Sequence, residues 1–272
     1  MTSSQQFRLL QDDQLDIDFA FGFVTYLWGK DWDLTTLLKN CQDSGLLGIE
    51  LRTTHAHGVE PALSTEEREL VRHQFAESGV TLVGLGSDER FDSPDEDKLK
   101  LAIKTTCDFV VLSHDVGGSG VKVKPDSFHP NVPRETTIRQ IGESLNKVAE
   151  FAEGYGQQIR LEVHGSCAHL PTIKQIMDIA DHPNVAVCWN CNPEDLAGEG
   201  LEHNFKLVED RLAHTLHVRE LDLTEYPYDE LFALLRNSTF CGWVLLEART
   251  NPKDRVEAMK EQLALFRRLN TQ

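Results

Sequence analysis

The chain is short of basic residues: 27 Lys and Arg stand against 44 Asp and Glu in 272 residues, a formal net charge of -17 at pH 7. A surface field of that sign repels phosphate backbones. With no basic stripe to offset it, nucleic acid is excluded as the main partner. Also missing is any run of about 18 uninterrupted apolar residues, the length a bilayer-spanning helix needs, so no membrane partner is expected. The opening Met1 to Arg8 lacks a basic start followed by an apolar stretch, and no secretory signal is read there. Cysteine is sparse. Cys41, Cys107, Cys167, Cys188, Cys191 and Cys241 do not form a disulfide framework, which points to a reducing, cytoplasmic setting.

Two cofactor signatures are absent as well. No Gly-rich dinucleotide fingerprint follows the first strand, because Phe21-Gly22-Phe23 lacks the spacing. Cys188-Trp189-Asn190-Cys191 has the C-x-x-C form, but a redox pair normally opens a helix, whereas Cys188 falls inside an expected strand. A structural zinc site would need a second pair, so Cys188 reads as a small inward core residue.

What is present is a regular alternation of strand and helix patterns. Strands are expected at 17–24, 47–52, 81–86, 109–113, 158–163, 185–190, 214–218 and 242–247. Helices are expected from Asp33 as N-cap to Ser44 with Gly45 as stop, and at 64–78, 94–106, 133–154, 170–180, 201–211, 228–236 and 252–270. Eight such units imply a parallel sheet with right-handed crossovers. With 40% hydrophobic residues, the chain can bury the core of one large domain. The expected fold is a single-domain (β/α)8 TIM barrel over residues 17–272, after a polar leader at 1–16; about 250 residues is usual for that architecture.

Four polar residues close the last four strands: Glu162, Asn190, His217 and Glu247, spaced by about one strand-loop-helix unit each. Leu161 and Val163, Val187 and Trp189, Leu216 and Val218, and Val244 and Leu246 lie on the opposite parity, so they would cover the barrel exterior while the polar set points inward. The second strand repeats the arrangement and adds Glu50 and Arg52. A charged strand end is commonly just a solvated loop start, but five strands of matching parity favour a site. Around one mouth, such oxygen and nitrogen groups can share a metal ion.

Two loops extend the candidate set. After the second strand, His55 and His57 can contact substrate or a second metal. After the expected fourth strand, Ser113 to Pro125 combines glycines with Lys122, suiting an oxyanion contact or a mobile lid, although the P-loop order is absent.

Gly48-Ile49-Glu50-Leu51, Leu161-Glu162-Val163-His164, His217-Val218-Arg219-Glu220 and Leu246-Glu247 together resemble the xylose-isomerase-like barrel superfamily. Within it the pattern is most similar to the sugar (phosphate) isomerase/epimerase branch, which includes ketose 3-epimerases, hydroxypyruvate isomerases and inosose dehydratases. The resemblance implies a divalent metal held by Glu162, Asn190, His217 and Glu247. It also implies that Glu162 and Glu247 exchange protons with substrate carbon through an enediolate, that His164 contacts substrate, and that Arg219 stands in the family's His-x-Lys-Asp segment. The departure is Asn190, where the family has Asp. Its amide oxygen can still coordinate, but the site loses one negative charge.

The expected activity is therefore isomerisation or epimerisation of a small sugar, keto-sugar or polyol derivative, a carbohydrate being the partner. Mn2+, Mg2+ or Co2+ would suit the oxygen-rich set, with Zn2+ also compatible. The chemistry is consistent on its own terms, since a weakly acidic C–H needs a carboxylate base and cationic stabilisation of the enediolate oxygens. Two alternatives stand beside it: an endonuclease IV-like hydrolase using His55, His57 and His114, and a non-catalytic sugar-binding barrel motivated by Asn190. A homodimer is the default assembly by symmetry.

Overall fold

The computed structural model describes residues 19–271. Among the described residues eight strands form: β1 Phe19–Val24, β2 Gly48–Arg52, β3 Thr81–Arg90, β4 Gly120–Lys124, β5 Gln158–Glu162, β6 Val185–Cys188, β7 Thr215–Val218 and β8 Gly242–Leu246. All named pairings are parallel, in the order β6-β5-β4-β3-β2-β1-β8-β7. The ring closes between β6 and β7 through the bridges Val187↔Leu212 and Asn190↔His217, backed by His217 N donating to Trp189 O at 2.7 Å.

Eight α-helices among the described residues pack outside: α1 Leu34–Ser44, α2 Thr65–Ser78, α3 Glu96–Val116, α4 Arg134–Glu153, α5 Leu170–Ile179, α6 Leu201–Lys206, α7 Tyr228–Asn237 and α8 Arg255–Asn270. Their boundaries follow local chemistry. Asp33 caps α1 by accepting from Thr36 N, and Gly45 ends it in the left-handed region that a side chain disfavours. Ser64 and Glu67 form a reciprocal capping box at the start of α2. No helix among the described residues is long and apolar enough to cross a membrane.

The outward parity of Leu161, Val163, Val187, Trp189, Leu216, Val218, Val244 and Leu246 is observed: all are buried in one apolar layer between strands and helices. The expected start of β1 at Ile17 and the leader at 1–16 lie outside the described residues. The expected helix 201–211 is a shorter α6 followed by a separate 3-10 turn at Glu209–Arg211.

One expectation is overturned. Residues 109–113, rich in strand-forming Phe, Val and Leu, continue α3 to Val116, and the fourth strand is Gly120–Lys124. The buried set Ala102, Thr106, Phe109, Val110, Ser113 and Val116 recurs at three- and four-residue intervals, so one face of a long helix meets the core and β-propensity is overridden. The glycine-rich run is thus no lid. It is the helix stop at Gly117 and the strand itself, and Lys122 points into the barrel, only 1% exposed.

Candidate active site at the barrel mouth

Glycines shape the barrel interior. Trp243 lies across Gly48, where an added Cβ would sit 2.1 Å from the indole, and the Arg160 guanidinium occupies the space left by Gly84 and Gly120. Arg160 is fully buried, donating to Val83 O at 3.2 Å, Ser119 Oγ at 2.7 Å and Gln158 Oε1 at 3.0 Å. Above this floor, toward the C-terminal ends of the strands, lies a layer of Glu50, Lys122, Glu162, Asn190, His217 and Glu247, every one of them buried.

Three of the four expected ligands converge. Glu162, His217 and Glu247 each present one ligand atom, all within 4.8 Å of one another. Asn190 is beside them. Its Nδ2 donates to Glu162 Oε1 at 3.0 Å, leaving Oδ1 buried without a partner. Both ring nitrogens of His217 likewise lack a hydrogen bond, lying 3.3 Å from Glu50 Oε1 and 3.7 Å from Glu162 Oε1. Buried polar atoms without partners are costly, and here they form one cluster with the ligand chemistry of an oxygen-rich divalent site. The residues fit such an ion.

The electrostatics of the layer are tightly balanced. Burial disfavours the Lys122 ammonium, but Glu162, Glu50 and Glu247 outweigh it and raise its pKa. Burial likewise pushes the Glu162 carboxyl up, and Lys122, 2.6 Å away, with His217 holds it well below the ordinary range. Glu50 follows the same pattern, lowered mainly by His217 against its own burial. Burial opposes the charged form of His217, and Cys188 and Glu50 reverse that, raising its pKa well above normal.

The remaining expected site residues have varied placements. Glu50 is fully buried in the same layer, its Oε1 3.3 Å from His217 Nε2. Arg52 is at the rim, 3.7 Å from Asp88 and stacked over Tyr26. His55 is partly exposed, contacts Thr25 Oγ1 at 3.1 Å, and has its pKa depressed to about 4 by burial, with His57 and Arg52 adding to it. Both ring nitrogens of His57 are engaged within its own loop, Nε2 bonding Arg52 O at 2.8 Å and Nδ1 accepting from Val59 N at 3.0 Å. Arg219 holds the β6 loop, donating to Cys191 O at 3.0 Å and Asn192 Oδ1 at 3.1 Å.

His164 stands half-exposed beside the mouth, its Nδ1 2.8 Å from Asp126 Oδ1. This bond to His164 lowers the Asp126 pKa against its partial burial, and Arg90 Nε, 2.9 Å from Oδ2, adds to it. The loops after β4 and β5 are pressed together here. A Cβ on Gly165, whose φ is +68°, would lie 2.2 Å from Asp126 O, so only glycine lets the His164–Asp126 pair form.

Sequence reasoning missed Arg160, Asp126 and the structural part of Glu220. Glu220 Oε1 accepts from Arg249 N and Thr250 N at 2.9 and 2.7 Å, fixing the loop that follows Glu247. The run Gly-Val-Lys-Val-Lys at 120–124 carried a period-two signal that would have located β4 and hence Lys122.

Comparison with known proteins agrees with this fold. The chain aligns over 92% of its length with the 3-keto-D-glucoside 4-epimerase YcjR of E. coli, covering 99% of that chain at 17% identity with a TM-score of 0.77. It aligns over 92% with D-psicose 3-epimerase of Clostridium cellulolyticum H10, solved with D-tagatose, covering 98% of that chain at 16% identity and a TM-score of 0.76. The IOLI protein, solved with a zinc atom, gives 92% and 98% coverage, 17% identity and a TM-score of 0.77. At such identities the likeness establishes the fold. Among curated protein sequences, none matches this chain. The sequence model described as the xylose isomerase-like TIM barrel matches residues 38–269, most of the barrel from α1 into the last turn of α8, and the chain belongs to that family.

Proposed function

We propose that the protein is an isomerase or epimerase of a small sugar, keto-sugar or polyol derivative, working through an enediolate with Glu162 and Glu247 as its proton-transferring pair. The observation that carries this reading is the convergence of Glu162, His217 and Glu247 within 4.8 Å at the C-terminal mouth of a barrel. Its structural neighbours include sugar epimerases.

Removing a proton next to a carbonyl near neutral pH needs an ionised carboxylate close to the carbon and positive charge near the developing oxyanion. Burial works against the charged Glu162 carboxyl, and Lys122 with His217 outweighs it and holds the pKa well below the ordinary range, which favours the ionised form a base needs. Glu247, just past the end of β8 and across the mouth from β5, supplies a second carboxylate, and a proton taken by one and returned by the other inverts the carbon. Glu162, His217, Glu247 and the Asn190 amide oxygen would hold the divalent ion, which when bound polarises the substrate oxygens. Lys122 adds fixed positive charge beside Glu162, and His164, aligned by Asp126, offers a polar contact at the rim.

The test is deuterium exchange. Purified protein is incubated in D2O with a panel of ketoses and keto-polyols, in the presence of Mn2+, Co2+, Mg2+ or Zn2+. Deuterium should enter the carbon next to the carbonyl, and Glu162→Gln and Glu247→Gln should each abolish it. No exchange with any pair of metal and substrate would sink the reading and leave a non-catalytic sugar-binding barrel. The hydrolytic alternative finds little support. His57 is committed to its loop, and exposed His114 sits in the last turn of α3, at the end of the barrel opposite the mouth.

A further inference from the structure

We propose that Lys122 is a resident cation of the site, competing with a divalent ion for Glu162, so that the fold is stable without metal and metal loading is weak and exchangeable. This rests on reading Glu162, His217 and Glu247 as the cation site. It does not depend on turnover.

Three observations support it. First, the Lys122 ammonium lies 2.6 Å from Glu162 Oε2, and both side chains are almost wholly buried, at 1% and 2% exposure. A charged pair removed from water is held strongly, and breaking it from one side leaves an uncompensated buried charge. Second, the lysine is built into the barrel wall. Gly86 is its register partner on β3, and a Cβ there would press on Glu50 Oε1 at 3.0 Å while meeting Lys122 Cε at an ordinary contact distance of 3.4 Å. Ser87 Oγ donates to Lys122 O at 2.7 Å, pinning the strand at the same point.

Third, the charge count leaves little for a dication to neutralise. The interior carboxylates Glu50, Glu162 and Glu247 face the fixed cations Lys122 and Arg160, and the fourth ligand position, Asn190, is neutral. With His217 neutral, the form in which its ring can ligate an ion, one negative charge remains uncompensated, fewer than the two positive charges a divalent ion brings. An ion entering beside an intact Lys122–Glu162 pair is repelled by the ammonium at close range. It binds well only when Glu162 leaves the lysine.

Mn2+ affinity, measured by titration calorimetry and by the loss of the free-ion paramagnetic resonance signal, tests this on the wild-type chain, Lys122→Gln and Lys122→Met. The glutamine keeps most of the stem and a hydrogen-bond donor for Glu162 while removing the charge. Both variants should bind Mn2+ at least about tenfold more tightly than wild type, because a unit of positive charge a few ångströms away is gone. Thermal melts in EDTA and in Mn2+ give a second readout. Wild type should melt alike in both, and Lys122→Met should melt lower in EDTA and recover in Mn2+, the ion replacing the ammonium. Unchanged or weaker Mn2+ binding by Lys122→Gln would overturn the proposal, as would absence of binding in all three proteins. Tight Mn2+ binding by the variants with no deuterium exchange in wild type would retract the proposed activity and leave the role of Lys122 standing.

Discussion

Glu50 sets two large effects against each other, and replacing it with glutamine shows which dominates. Both carboxylate oxygens are buried and without hydrogen bonds, so the group carries a desolvation cost of several kcal/mol that neutral Gln would largely relieve. Against this stand His217, 3.3 Å away, and the more distant Lys122 and Arg160. At that separation a pair of unit charges attracts by about 5 kcal/mol at an effective dielectric of about 20. The pKa of Glu50 is lowered overall, which means the ionised form is favoured and attraction exceeds desolvation. Glu50→Gln should therefore destabilise the metal-free protein at pH 7, by roughly 3 to 5 kcal/mol, the typical result of removing one partner from a buried charge cluster.

Urea denaturation in EDTA at a series of pH values is the assay. A carboxyl with a depressed folded pKa stabilises the protein above its unfolded pKa, and that contribution is lost as pH falls through the folded value. The gap between wild type and Glu50→Gln should thus be full at pH 7 and shrink in acid below the ordinary carboxylate range. A variant equal to or more stable than wild type at pH 7 would refute the reasoning. It would show the carboxylate to be an unrelieved desolvation cost.

Asp195 behaves in the opposite sense: burial raises its pKa to about 7, against bonds from Asn192 N and Tyr226 Oη. Its raised value means stability is greatest below the unfolded pKa near 4 and is lost as pH rises through about 7. The change is about 4 kcal/mol at roughly 1.4 kcal/mol per unit, and Asp195→Asn should flatten that slope in thermal melts. Gly165→Ala forces a Cβ to 2.2 Å from Asp126 O at a positive φ, so it should cost about 1 to 3 kcal/mol in denaturant unfolding and part the His164–Asp126 pair. EDTA should abolish deuterium exchange, and added Mn2+ should restore it. An exchange rate that survives exhaustive chelation would remove the divalent ion from the proposed chemistry.

Much of the barrel was legible because its cues are local and repeated. Strand alternation around Glu162, Asn190, His217 and Glu247 named the inward face, and the caps Asp33 and Gly45 marked helix ends that the fold retains. The failure at 109–113 has an equally physical cause. A β-branched, aromatic run suits a strand and the buried face of a long helix alike, and only the spacing continued from Ala102 to Val116 separates the two. That error left Lys122 as a loop contact, because a residue assigned to a loop is not asked which way it points. Arg160 and Asp126 were hidden differently. The space for Arg160 is made by glycines on β3 and β4, and the partner of His164 comes from the loop after β4, relations set by tertiary packing and not by neighbours in the chain.

Asn190 and Lys122 acquire meaning only together. An Asp at position 190 would add a carboxylate to an interior that already holds three, and a metal ion would be needed to offset the cluster. With Asn190 giving its amide hydrogen to Glu162 and Lys122 occupying the other carboxylate oxygen, the same ring of side chains is close to neutral as folded. The amide that looked like the loss of a ligand thus contributes to a site whose resident charge comes from the chain. Within that site Glu162 already serves Lys122 and Asn190, and under the proposal above a divalent ion has to compete with both for it.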